Sequence, residues 1–464
     1  MSAKNLKDGT YYVILISGAA ALGGFLFGFD TAVINGAILA LTKAFNASSW
    51  LTGFAVSLAL LGSAVGAFCA GQIADRYGRV KAMVVAAGLF TLSAIGSGFA
   101  FSIWDFIFWR LLGGIAVGVA SVIAPAYIAE CAPAQMRGRL GSLQQLAIVV
   151  GIFIALLSDY FIAVSAGSAE LPFLFGIAAW RWMFLTAALP AVLYGMAALT
   201  IPESPRYLVA QGREQEASTV LAKILGGNVS SKIEEIRQTV LQERKPNFSD
   251  LIGRNGKILP IVWVGISLSV LQQFVGINVI FYYSSVLWQA VGFSEQDALK
   301  LTVLTGAVNI ITTLIAIVFV DKFGRKPLLL IGSVGMTITL GTLTTIFANA
   351  AMDASGNPRL VGSAGIVALL AANLYVFCFG FSWGPVVWVL LGEIFNNKIR
   401  ASALSIAAAV QWVANFIVST TFPPLLQYLG LGAAYGLYTI SSAISIFFVA
   451  FFIKETRGME LEHM

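Results

Sequence analysis

Apolar residues along this chain come in long runs instead of amphipathic stripes. Segments 51–73, 83–100, 140–163 and 258–279 are nearly free of charge, and each approaches the roughly 20 residues a helix needs to cross a bilayer. The same pattern recurs near 11–40, 51–73, 82–100, 104–127, 140–163, 182–201, 258–289, 301–320, 327–350, 363–391, 403–427 and 433–453. It predicts an all-α membrane protein with twelve transmembrane helices. The longest polar stretch is 202–257, and there the period changes. Ala217, Val220, Leu221, Ile224 and Leu225 fall at helical spacing, and Ser231 with Glu234 reads as a capping box ahead of Ile236 and Val240. Short amphipathic helices are expected there, lying as a bracket against the span ends.

Composition agrees: 58% of residues are hydrophobic, 11% are charged, and the mean hydropathy is +0.86, values too apolar for a solvated surface. The net charge of +6 matters through its placement. Of 28 Lys and Arg residues, 23 fall on one side of the predicted membrane, the side of both termini. Lys43, Arg181, Lys300 and Arg359 fall on the other, and Arg110 lies within a span. The positive-inside rule makes both termini cytoplasmic and the protein a multi-pass plasma (inner) membrane protein. The first ten residues lack the pattern of a secretory signal, so the first apolar run reads as span one. Cys69, Cys131 and Cys378 are scattered and His463 is the single histidine; neither a disulfide framework nor a metal site is expected.

The chain repeats itself. Asp75-Arg76-Tyr77-Gly78-Arg79 follows span two and Asp321-Lys322-Phe323-Gly324-Arg325 follows span eight. Glu130 and Arg137 after span four are matched by Glu393 and Arg400 after span ten. Six spans return the chain to its starting side, so the repeats are parallel: a bundle at 1–201, a linker at 202–257, and a second bundle with a short tail at 258–464. At cytoplasmic helix ends, Asp75, Arg76, Arg79, Glu130, Arg137, Asp321, Arg325, Glu393 and Arg400 read as conformational latches that bias inward-facing against outward-facing states.

Several motifs in order resemble the sugar porter family of the major facilitator superfamily, and within it the bacterial glucose permeases: GGFLFGFDTAVING at 23–36, DRYGR at 75–79, RLLGGIAVG at 110–118, PAYIAECAPAQMRGR at 125–139, PESPRYL at 202–208, QQFVGIN at 272–278, DKFGRKP at 321–327 and SWGPVVWVLLGEIF at 382–395. Val80-Lys81, Asn396 and KETRG at 454–458 depart from the family pattern. The resemblance implies the major facilitator fold and uptake of a monosaccharide, D-glucose or a near relative.

A sugar site needs side-chain amides, which donate and accept together, and an aromatic face. The spans supply Gln145, Gln272, Gln273, Asn278, Asn309, Gln411 and Trp412. The resemblance implies that all of these but Trp412 match sugar-binding amides, and that Phe27, Gly384 and Trp388 match further lining positions. Intramembrane amides also serve simply to bond neighbouring helices, at about 0.6 kcal/mol per contact. Gly384-Pro385 should kink span ten, and Tyr282 with Tyr283 can close an outer entrance. Asp30 reads as the carboxylate deepest in any span, and Arg110 is an intramembrane cation; each costs roughly 2.5 to 3.5 kcal/mol to insert. Proton-coupled members of the family carry Asp at the position of Asp30. Arg110 nearby favours the charged carboxylate, and separation with loss of water favours protonation, which implies sugar and proton transport together. Alternatives are an uncoupled facilitator, a symporter for xylose or galactose, and a non-transporting sugar receptor. Neither a nucleophile with its base nor a phosphate-binding loop points to an enzyme, and no cofactor, metal, nucleic acid or obligate protein partner is called for. The partners expected are sugar, proton and lipid bilayer.

Overall fold

The computed structural model describes residues 3–133, 136–225, 229–242, 248–253, 256–352, 358–395 and 399–455. Span one is α1 (Ala3–Ala32) and α2 (Ile34–Ala44), span two α3 (Ser49–Tyr77), span three α4 (Arg79–Phe99), span four α5 (Ile103–Cys131) and span five α6 (Arg137–Ala166). Span six is α7 (Ala179–Thr186) with α8 (Ala188–Thr200). The connector holds α9 (Pro205–Ala210), α10 (Glu214–Leu225) and α11 (Ser230–Gln242). Span seven is α12 (Pro260–Phe274) with α13 (Ile277–Ala290), span eight α14 (Glu295–Phe323), span nine α15 (Arg325–Ala348), and span ten α16 (Ser363–Phe381) with α17 (Trp383–Ile394). The last helix, α18 (Arg400–Phe452), runs 53 residues through a non-helical Gly430. At 1.5 Å per residue it is far longer than a bilayer core of about 30 Å, so it is spans eleven and twelve. Helices suit this solvent because each satisfies its own backbone.

Spans one, six and seven, predicted continuous, are each broken into two helices. The outer loop after span nine forms a small antiparallel pairing of Ala351–Met352 with Pro358–Arg359. Close helix crossings use glycine: a Cβ on Gly28 would lie 1.9 Å from the Ile148 carbonyl oxygen, and one on Gly151 would lie 2.1 Å from that of Phe25. Large apolar side chains such as Leu189, Leu199, Ile338 and Leu370 are exposed, as a lipid-facing surface requires.

The connector packs as a bracket. Ala217, Val220, Leu221 and Ile224 are buried, and a Cβ on Gly9 would meet the Ile224 carbonyl oxygen at 2.8 Å, placing α10 beside the start of α1. The capping box does not form. Helix α11 begins at Ser230, so Ser231 lies inside its first turn, and Glu234 pairs instead with Arg237 at 3.1 Å.

Two compact units emerge. The first comprises 1–30, 62–152 and 184–245; the second comprises 31–61, 153–183 and 246–464. The second therefore contains, besides the whole second repeat, the ends of first-repeat spans on the side opposite the termini, the outer side below.

Candidate functional site

The second unit gathers four of the predicted amides at two helix breaks. Span seven breaks at Gly276, whose φ of 84° lies in the left-handed region and where a Cβ would meet the Tyr438 ring at 2.7 Å; only glycine suits it. Span ten breaks at Ser382, beside the expected Gly384-Pro385. Gln272, at the end of α12, donates to the carbonyls of Trp383 at 2.8 Å and Gly384 at 3.4 Å, capping groups that the break leaves free. Its Oε1 accepts from Gln411 of α18 and from Gln273 Nε2 at 3.4 Å. Asn278, on α13, donates to Gln273 Oε1 at 2.6 Å. Four amides from three helices thus form one continuous strip.

The strip retains unused capacity. The buried Gln411 Oε1 has no hydrogen-bond partner among the described residues. Asn309 of α14 is buried, and its Oδ1 lies 3.9 Å from the Cβ position of Gly380. Trp388 is 47% exposed, unlike Trp383, which is buried with its indole N–H on Ser333 Oγ at 2.9 Å. Trp412 is half-buried. Next to the strip, Asn415 donates to the Tyr282 hydroxyl at 3.5 Å, a contact the sequence reading did not single out.

The first unit holds the charges. Arg110 Nη1 donates to Asp30 Oδ1 at 2.8 Å, and Nη2 donates to the Asp30 carbonyl at 3.0 Å. The guanidinium lies 5.9 Å from the Phe184 ring centroid. Both residues are buried, and Asp30 Oδ2 lacks a partner among the described residues. Gln145 is exposed and Phe27 half-buried. The buried amide of α6 is the preceding Gln144, set against Gly24. The amide strip and the Asp30–Arg110 pair therefore belong to different compact units. Asp30 is not the most buried carboxylate: it is 6% exposed, whereas Asp159 of α6 is 0% exposed.

The latch residues pair differently from their spacing. Arg79 forks onto Glu130, Nε to Oε2 at 3.0 Å and Nη2 to Oε1 at 2.9 Å, and Asp75 joins at 3.2 Å. Arg325 forks onto Glu393 at 3.1 and 2.8 Å. Arg76 stacks on Tyr77. The side chains of Arg137, Asp321 and Arg400 lie outside the described residues. A third repeated element was missed: Glu203 accepts from the backbone N–H of Arg79 and Val80 at 3.0 and 3.2 Å, and Glu455 from those of Arg325 and Lys326, each at 3.0 Å. Each carboxylate caps a helix N-terminus, where anions are favoured. The signal was present, since Glu-Ser and Glu-Thr follow spans six and twelve at an offset of 252 residues.

In the second unit the outer side is sealed. Asn35 of α2 donates to the Phe281 carbonyl at 2.8 Å and to Ser284 Oγ at 2.9 Å, and accepts from Ser285 N at 3.0 Å. The Ser57 and Thr420 hydroxyls meet, and Ala169 N donates to Glu295 at 2.8 Å. Tyr283 donates to the Ser419 carbonyl at 2.8 Å and packs on Phe422. A cavity of about 340 Å³ remains, lined by Thr42, Ser48, Thr52, Tyr283, Phe422 and Tyr428 among others.

Paired six-span repeats, helices broken at a polar strip and a buried carboxylate–guanidinium pair define a multi-pass membrane transporter of the major facilitator type. Residues 16–464 match the family described as Sugar (and other) transporter, and the chain belongs to that family. It is 70% identical to a glucose transport protein of Synechocystis sp., over 100% of this chain and 98% of the relative. It is 38% identical to the D-xylose-proton symporter of Escherichia coli, over 99% and 96%. The inward open structure of the xylose transporter XylE from E. coli superposes with a TM-score of 0.83 at 37% identity, covering 97% of this chain and 98% of that one. XylE bound to 6-bromo-6-deoxy-D-glucose gives 0.78 at 38% identity, over 98% of both chains.

Proposed function

We propose that this protein takes up a monosaccharide, D-glucose first, together with a proton by alternating access. The observation that carries the sugar reading is the strip Asn278–Gln273–Gln272–Gln411, four amides joined across two helix breaks. Neutral hydroxyls need partners that donate and accept, and this strip offers both without charge. Asn309, Gly384, Trp388 and Trp412 complete the proposed lining in the second unit, and Gln145 and Phe27 are the positions proposed for the sugar in the first. The 70% identity to a glucose transport protein supports glucose over xylose.

The buried Asp30–Arg110 pair supports proton coupling over simple facilitation. Breaking a buried pair by parting its members is costly, about 3–5 kcal/mol when one is left unpaired. Protonation of Asp30 removes the carboxylate's share of that penalty, so a proton accompanies the movement that separates them. The pairs Arg79–Glu130 and Arg325–Glu393 each tie helices within one unit, and as latches they bias inward-facing against outward-facing states. Both termini lie in the cytoplasm, as the Lys and Arg bias requires.

In cells expressing the protein, labelled glucose should accumulate above its outer concentration, an uncoupler should abolish the gradient, and unlabelled glucose should compete better than xylose or galactose. Asp30→Asn should lose accumulation and keep exchange. Full accumulation in that variant rules out Asp30 as the coupling group.

A further inference from the structure

Asp159 is a buried carboxyl that neither the amide strip nor the Asp30–Arg110 pair employs. Its side chain is wholly enclosed within span five. Oδ2 accepts from Gly36 N at 3.2 Å, and Oδ1 has no hydrogen-bond partner among the described residues. The seat is shaped for it: a Cβ on Gly36 would lie 2.6 Å from Asp159 Cβ and 2.7 Å from Oδ2.

Gly36, which seats it, adjoins the outer seal. Gly36 follows Asn35, which fastens α2 to α13 through Phe281, Ser284 and Ser285. Leu156, three residues before Asp159 and so near its helical face, packs on Gly306 of α14. The end of α6 is tied to α14 by Ala169 and Glu295. Parting α13 and α14 from α2 and α6 opens this seal beside the Gly36–Asp159 contact.

No cation answers the carboxyl among the described residues. On α2, Lys43 pairs with Glu170 at an exposed rim. On α14, Glu295 is taken by Ala169 N, and Asp297 pairs with Lys300. Arg181 of α7 stacks on Trp180. Helix α13 brings Tyr282 and Tyr283, engaged with Asn415 and Ser419, and α6 itself brings Tyr160. An ionised carboxylate with one long hydrogen bond and no counter-charge is disfavoured in such a place far more than its neutral acid.

We propose that Asp159 is a second proton-binding site, which holds its proton while the outer side is closed and releases it to the outer medium when that side opens. This rests on the alternating-access reading above. The proton comes from and returns to the same side, so the site sets how closure depends on outer pH and leaves the coupling ratio to Asp30.

The test uses purified full-length protein with Asp30→Asn, which removes the first carboxyl. In proteoliposomes, exchange of labelled glucose should slow as outer pH rises, by at most about tenfold per pH unit because one proton is bound. Adding Asp159→Asn, which keeps an acceptor for Gly36 N, should retain exchange and flatten that profile. A double variant that keeps the slope overturns the proposal. Should neither the unsubstituted protein nor Asp30→Asn exchange glucose, the transport reading fails, and infrared difference spectra decide the site: near neutral pH the carbonyl stretch of a protonated acid should be present with Asp159 and absent with Asp159→Asn. Spectra without that difference overturn it.

Discussion

Gln272 does two things at once: it caps the carbonyls of Trp383 and Gly384 at the break in span ten, and it anchors Gln411. Gln411 is tied down at one end only, its Oε1 being unpartnered among the described residues. The two should therefore fail differently. Gln411→Ala should raise the KM for glucose about tenfold, near the 1.4 kcal/mol that one hydrogen bond can carry, with little change in thermal stability. Gln272→Ala should raise KM as well and also cost about 1–3 kcal/mol of stability, because two backbone carbonyls lose their donor. Uptake kinetics beside thermal denaturation of the purified protein separate the roles.

At the scale of helices, the breaks matter most. Span seven turns at Gly276 with φ 84°, between Gln273 and Asn278, so the break aims the strip. Gly276→Val adds a strained backbone of about 1–2 kcal/mol and a clash with Tyr438, whose ring lies 2.7 Å from the added carbon. It should lower the melting temperature and abolish uptake even where the protein still reaches the membrane, measured by denaturation and by uptake normalised to membrane content. The capping carboxylates Glu203 and Glu455 act at the same scale, fixing where α4 and α15 begin.

For the whole molecule, the compact units do not follow the repeats. Residues 31–61 and 153–183 cluster with the second repeat because the outer ends of the first repeat are bonded to it through Asn35, Ser57 and Ala169. Transport by alternating access requires those bonds to break in every cycle. Ser57→Cys with Thr420→Cys, whose hydroxyls already meet, should form a disulfide on oxidation that stops uptake, and a reductant should restore it. Unimpeded uptake by a fully cross-linked protein would exclude outer opening at this seam.

The sequence by itself determined the twelve spans, the parallel repeat, the family and the residue types proposed for the site. Those are statements about local hydropathy, spacing and motif, which the chain carries position by position. Asp30 and Arg110 were legible as partners because charge in a span is rare. Tertiary structure decided what depends on neighbours distant along the chain. It joined Gln272, Gln273, Asn278 and Gln411 in one strip, gave Glu130 to Arg79, put Gln144 inside and Gln145 outside, and seated Asp159 on Gly36. Adjacent residues of a helix point about 100° apart, so burial at one position says little of the next. Asp159 was overlooked because it sits near the predicted end of span five, where a carboxylate ordinarily meets water, and its seat against Gly36 of α2 exists only once α2 packs on α6.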